Sequence, residues 1–95
     1  MVYVVERYMP GLPHTDLLAA LARLAQATGQ LRNEGAPIRY LGSTIVLEDE
    51  ACFCQFDAPS EEAVAEANRR ASAPFDRIVM AVVVLPTAGK GGDDV

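Results

Sequence analysis

Cys52 and Cys54 stand one residue apart in the stretch EDEACFCQFDAPS, residues 48–60, directly after three consecutive acids. Thiols at this spacing suggest three roles: sulfur ligation of a metal, a redox pair, or packing of two small apolar side chains. Alternation along a strand puts both on one face with their Cα atoms ~6.6–7 Å apart. That is at or beyond the outer limit for a bridge, so the pair is not expected to close a disulfide. A metal drawn to both sulfurs needs two further ligands, for which His14 and Glu6 are the protein candidates. The spacing by itself favours core packing, with Cys54 as the wall of a pocket. No metal site is assigned; Cys52, Cys54 and His14 are the residues one would have to use.

Glu6 and Tyr8 alternate on one face of an N-terminal strand, as the cysteines do on theirs. Asn68 falls on the apolar side of a helix, where an amide without partners costs about 1–3 kcal/mol and so must address backbone, side chains or a ligand. Ser72 and Arg77 follow it in the chain. The sequence contains no Ser-His-Asp constellation, no HExxH and no glycine-rich phosphate loop; GKGGDDV has no helix after it and reads as a tail.

The elements that must position these groups are legible. Val2 to Met9 reads as a strand stopped by Pro10 and Gly11. A helix follows, capped by Thr15, with Leu17, Leu21, Leu24, Thr28 and Leu31 on one face and Gly35 and Pro37 ending it. Ile38 to Leu47 is a second strand in which Gly42 marks a bulge, and the three acids form its turn. Ala51 to Phe56 is a third strand, and Ser60 caps a second helix that ends before Pro74. Asp76 to Leu85 is a last strand, apolar enough that both of its faces are expected to be covered. The β-α-β-β-α-β order predicts an α+β, ferredoxin-like sandwich: a four-stranded antiparallel sheet, strands one and three central, with two helices on one face. Residues 1–86 form this domain and 87–95 a flexible tail.

That topology gathers the end of strand one, the starts of strands three and four, the start of helix one and the end of helix two at one edge. Glu6, Tyr8, Cys54, Asn68, Ser72 and Arg77 there make up the expected ligand-binding set. The helix-free face, to which Tyr3, Val5, Arg7 and Met9 of strand one and Phe53 and Gln55 of strand three are assigned, suits a homodimer packed sheet to sheet.

Composition bounds the partners. A chain of 95 residues, 51 % hydrophobic and 22 % charged, makes one globular domain. The net charge of −5 argues against nucleic acid, whose phosphates demand clustered Lys and Arg. No stretch reaches the ~20 apolar residues of a membrane span, and no leader pattern is seen, so a cytoplasmic protein is expected.

The segments VERYMPG, IRYLGSTIVLEDEACFCQFDAPSEEAVAEANRRA and PFDRIV resemble the DUF4242 family, small ferredoxin-like proteins related to proteins described as nickel-binding. The resemblance covers nearly the whole chain before the tail. It implies a ferredoxin-like fold, a dimer and nickel as the metal. The positions where it implies histidines hold Tyr8, Asn68 and Ser72, and phenol, amide and hydroxyl are poor nickel ligands, so the cofactor stays unassigned. Three functions are open: a dimer binding a small ligand or metal ion in the edge cavity through Glu6, Tyr8, Cys54 and Asn68; a cofactor-independent oxygenase, isomerase or cyclase with Glu6 as base and Tyr8 as oxyanion donor; or an interaction module.

Overall fold

Burial alternates along VYVVERY, and this makes strand β1, Val2–Tyr8, the spine of the molecule: Tyr3, Val5 and Arg7 are buried while their neighbours are not. The computed structural model describes residues 1–87. After β1 come helix α1 (His14–Asn33), strands β2 (Arg39–Val46) and β3 (Ala51–Asp57), helix α2 (Glu61–Arg70) and strand β4 (Arg77–Ala81). The four strands form one antiparallel sheet in the order β2-β3-β1-β4. This is the ferredoxin-like arrangement, with β1 and β3 central.

The helices form where their apolar stripes and end signals dictate. α1 buries Leu17, Leu24, Ala27, Thr28 and Leu31 against the sheet. It starts one residue before the expected Thr15 cap. Pro13 precedes it with φ −59°, and the Pro13 carbonyl accepts the first bonds from Asp16 and Leu17 without any side-chain cap. Proline brings that φ ready-made and has no amide hydrogen to leave unpaired. Gly35, at φ +102°, turns the chain out of the helix as expected. α2 begins at Ser60, whose hydroxyl accepts from the Ala63 amide at 3.2 Å, and its first turn carries Glu61 and Glu62.

The strand register supports two expectations and corrects two others. Between Tyr40 and Gly42 the β2–β3 pairing slips, so Gly42, at φ +130°, does sit at a bulge. Phe53 and Gln55 do lie on the helix-free side, being less buried than the Cys52, Cys54 and Phe56 that alternate with them. Tyr3, Val5 and Arg7, expected on that open face, instead belong under the helices: Tyr3 and Val5 join Leu24, Val64 and Phe56 in the core, and Met9 packs against it. β4 is also shorter than expected and is an edge strand. Val82, Val84 and Leu85 lie beyond it, 87 %, 86 % and 76 % exposed, so the apolar run is not covered on both faces among the described residues. Of the expected tail, residues 88–95 lie outside the described residues.

Candidate functional site

The antiparallel register brings the chemistry-bearing groups together. Ser43 pairs with Cys54, which pairs with Val5; Ile45 pairs with Cys52, which pairs with Arg7. Side chains of directly paired residues share a face, so Ser43, both thiols and Arg7 form a patch on the helix-covered side of the sheet. Helix α2 lays Asn68 over this patch, fully buried, with its amide nitrogen tied back to the Val64 carbonyl at 2.8 Å.

Arg7 is the centre of the patch and only 2 % exposed. One terminal nitrogen donates to the carbonyls of Ala73 and Pro74 at 3.2 and 3.1 Å. The other donates to Asn68 Oδ1 at 2.7 Å and lies 3.6 Å from Cys54 Sγ. The two carbonyls are within reach because Ser72 adopts the left-handed conformation, φ +52°, and folds the α2–β4 turn back over β1. Nε of Arg7 is buried with no hydrogen-bond partner among the described residues.

A guanidinium keeps its charge in proteins, and none of these bonds reaches a carboxylate. The ionisable group in contact with it is Cys54. That thiol also receives the Ser43 hydroxyl at 2.7 Å, Ser43 is hydrogen-bonded to the Tyr40 hydroxyl, and Cys52 Sγ lies 3.7 Å away. Cys54 is drawn down to about 6 by the Cys52 hydrogen bond, the Ser43 hydroxyl and Arg7, which together outweigh burial. Cys52 moves up, because its proton is held between the sulfurs and because it is buried. The two shifts favour a single negative charge, placed on Cys54 opposite the Arg7 guanidinium. Neither cysteine is in a disulfide.

Arg7 also lines a cleft of about 510 Å³ between the β1–α1 turn, the first half of α1 and the α2–β4 turn. Met9, Leu12, Leu17 and Leu21 give its apolar wall; Arg23, Asp16 and Ser72 supply polar groups.

The six residues expected to bind a ligand divide between the two faces of the sheet. Cys54 and Asn68 hold Arg7 from behind, and Ser72 lines the cleft. Glu6, Tyr8 and Arg77 are on the opposite side: Glu6 pairs with Arg77 through two bonds of 2.9 and 3.1 Å, and the Tyr8 ring meets Phe53 edge-on. His14, exposed at the start of α1, lines a separate hollow of about 180 Å³ with Met9, Ile45 and Glu50. Sequence reasoning passed over Arg7, Ser43 and Tyr40. The available signal was Arg7 itself, a charge at the strand position that alternates with Tyr3 and Val5.

A family model described as "Nickel responsive protein SCO4226-like" matches residues 3–80. The chain belongs to the SCO4226-like family. The resemblance to DUF4242 and to nickel-binding proteins is thereby supported as a family relation to nickel-responsive proteins, while the DUF4242 label itself is not. Among solved structures, the crystal structure of SCO4226 from Streptomyces coelicolor A3(2) is similar, with a TM-score of 0.69 and 19 % identity over 90 % of this chain and 100 % of that one. At that identity the likeness supports the fold. No curated protein matches.

The residues of this SCO4226-like chain do not fit a nickel ion. Among the described residues no three His, Cys, Asp or Glu side chains gather where they could hold a metal. Tyr8 is on the wrong face of the sheet for Asn68 and Ser72, and Cys54 already faces a guanidinium, which repels a cation.

Proposed function

We propose that this SCO4226-like protein binds a small, largely apolar organic molecule carrying a carboxylate or similar acceptor. The apolar body would lie along Leu12, Leu17 and Leu21, and the acceptor would sit at the Arg7 and Arg23 end of the cleft. The observation that carries this reading is the buried Arg7, which lines the cleft while its Nε remains without a partner. A buried donor left unmade costs about 1–3 kcal/mol, so an acceptor that reaches it with a small side-chain shift gains that amount. A cleft of this volume with an apolar wall and few convergent polar groups has the usual composition of a small-molecule site.

Octanoate is a suitable probe. Its titration is expected to give saturable amide shifts at Met9, Leu12, Leu21 and Ser72, with octanol binding at least about tenfold more weakly because it lacks the charge that Arg7 and Arg23 would meet. Nickel ions in the same titration should leave those resonances in place. Non-saturable shifts spread over the surface, or equal affinity for octanol, would refute the reading.

The helix-free face is proposed to join two copies. Val4, Phe53 and Val79 are half-buried there, Tyr8 is exposed, and the Val82–Leu85 run is exposed beside β4. Sedimentation at micromolar concentration is expected to give twice the chain's mass, and Tyr8→Glu is expected to shift it to the monomer. A single-chain species for the parent would remove the dimer.

A further inference from the structure

We propose that Cys54 is a site of two-electron oxidation by a hydroperoxide, and that the sulfenic acid formed stays on Cys54 instead of closing a bridge to Cys52. The first support is the arrangement around the sulfur. Cys54 Sγ has a guanidinium nitrogen at 3.6 Å, a hydroxyl donor at 2.7 Å and the second sulfur at 3.7 Å. A buried guanidinium bonded to carbonyls, an amide and this sulfur keeps the sulfur anionic, and the thiolate is the nucleophilic form. The same donors can stabilise charge developing on a peroxide oxygen.

The second support is independent of the sulfur. Arg7 Nε is buried and unpartnered, a donor on the side chain that touches Cys54 with nothing to bind it among the described residues. An oxygen added to Cys54 would lie beside the side chain that carries this unpartnered donor. Arg7 also lines the cleft and lies 3.6 Å from the sulfur, so an oxidant entering from the cleft has to pass that side chain.

The step balances. A sulfur lone pair attacks the outer oxygen of the hydroperoxide, the O–O bond breaks, and the bonding pair leaves with the inner oxygen as alkoxide or hydroxide, which takes a proton from water. Sulfur is oxidised by two electrons, the peroxide is reduced to alcohol or water, and Cys54 carries S–OH. Two equivalents of a small thiol return it to the thiol, leaving a thiol disulfide and water. A bridge to Cys52 is opposed by the strand, because residues i and i+2 keep their Cα atoms ~6.6–6.8 Å apart, at the far end of the disulfide range.

Native protein treated with hydrogen peroxide in the presence of dimedone, then digested and mapped by mass spectrometry, tests this. Cys54 is expected to carry the adduct in at least about tenfold excess over Cys52. The rate is expected to fall about tenfold from pH 8 to pH 5 as the thiolate is lost. Arg7→Lys, with its fold checked by circular dichroism, keeps a positive charge but not the fork, and is expected to slow the reaction further. Because the sulfur is fully buried, cumene hydroperoxide should react more slowly than hydrogen peroxide. Equal labelling of both cysteines, labelling only in urea, a Cys52–Cys54 disulfide as the main product, or a rate independent of pH would each overturn the proposal.

Discussion

Replacing Arg7 by Met is expected to lower stability by about 3–5 kcal/mol, the range for removing one partner of a buried charged cluster. At 4–8 °C per kcal/mol for a domain of this size, the melting temperature should drop by at least about 12 °C. Methionine fills much of the space, so the loss comes from what is left behind: the Ala73 carbonyl, Asn68 Oδ1 and the Cys54 sulfur would lose a donor in a dry environment, and the part-buried Pro74 carbonyl would lose one too. The cost should therefore depend on the partners. Combining Arg7→Met with Asn68→Leu should cost less than the sum of the single changes, since the second removes an acceptor that the first orphaned. If the cluster holds a thiolate, a cycle between Arg7→Met and Cys54→Ala should show a coupling of more than about 1 kcal/mol at pH 8. Additive losses in denaturant titrations would mean that Arg7 acts through packing alone.

The elements themselves were legible because each carries its own local signal. Ser60 before two acids, Gly35 after a leucine stripe and the slip at Gly42 all act within a few residues, so a linear reading finds them. The site was harder because it depends on the phase of β1. In VYVVERY both alternating sets contain apolar residues and one charge, Glu6 in one and Arg7 in the other. Nothing local says which charge goes inside. The decision is made by pairing: Cys52, Cys54 and Phe56 are the apolar set of β3, and their register partners Arg7, Val5 and Tyr3 must share their face. An arginine is the rarer choice for an interior. It is stable here because the α2–β4 turn, Asn68 and Cys54 converge on it, and those contacts join residues 47 to 67 positions apart in the chain. The same pairing leaves Glu6 to the open face and to Arg77, which divides a set of residues that topology alone had placed at one edge. β4 was read too long for a related reason. Apolar composition predicts burial, but as an edge strand it is paired on one side and the run beyond Ala81 has no cover among the described residues.

Stability should rise with pH between about 6 and 8.5, opposite to what buried neutral thiols would do. The folded Cys54 loses its proton near pH 6, whereas a thiol in the unfolded chain does so near 8.5. Between those values the unfolded chain binds the extra proton, so raising the pH favours the folded state, and the contribution is lost as pH falls through 6. The separation of about 2.5 units limits the effect to about 3 kcal/mol, and 2–3 kcal/mol is expected between pH 8 and pH 5.5. Cys52 acts in the other direction. Its folded proton is held above the ordinary thiol range, so stability should fall again once the pH passes the unfolded value near 8.5. The two together predict a maximum close to pH 8.5. The exposed Glu34 and the half-buried Glu66 are lowered by their arginines, away from this window. Urea midpoints measured across it for the parent and for Cys54→Ala separate the causes. The parent should show the rise and the maximum, and the variant should lose the rise while keeping its carboxylate-driven decline at lower pH. A parent that is flat from pH 6 to 8.5 would mean that Cys54 is a neutral thiol, and Arg7 would then lie buried without a negative partner among the described residues.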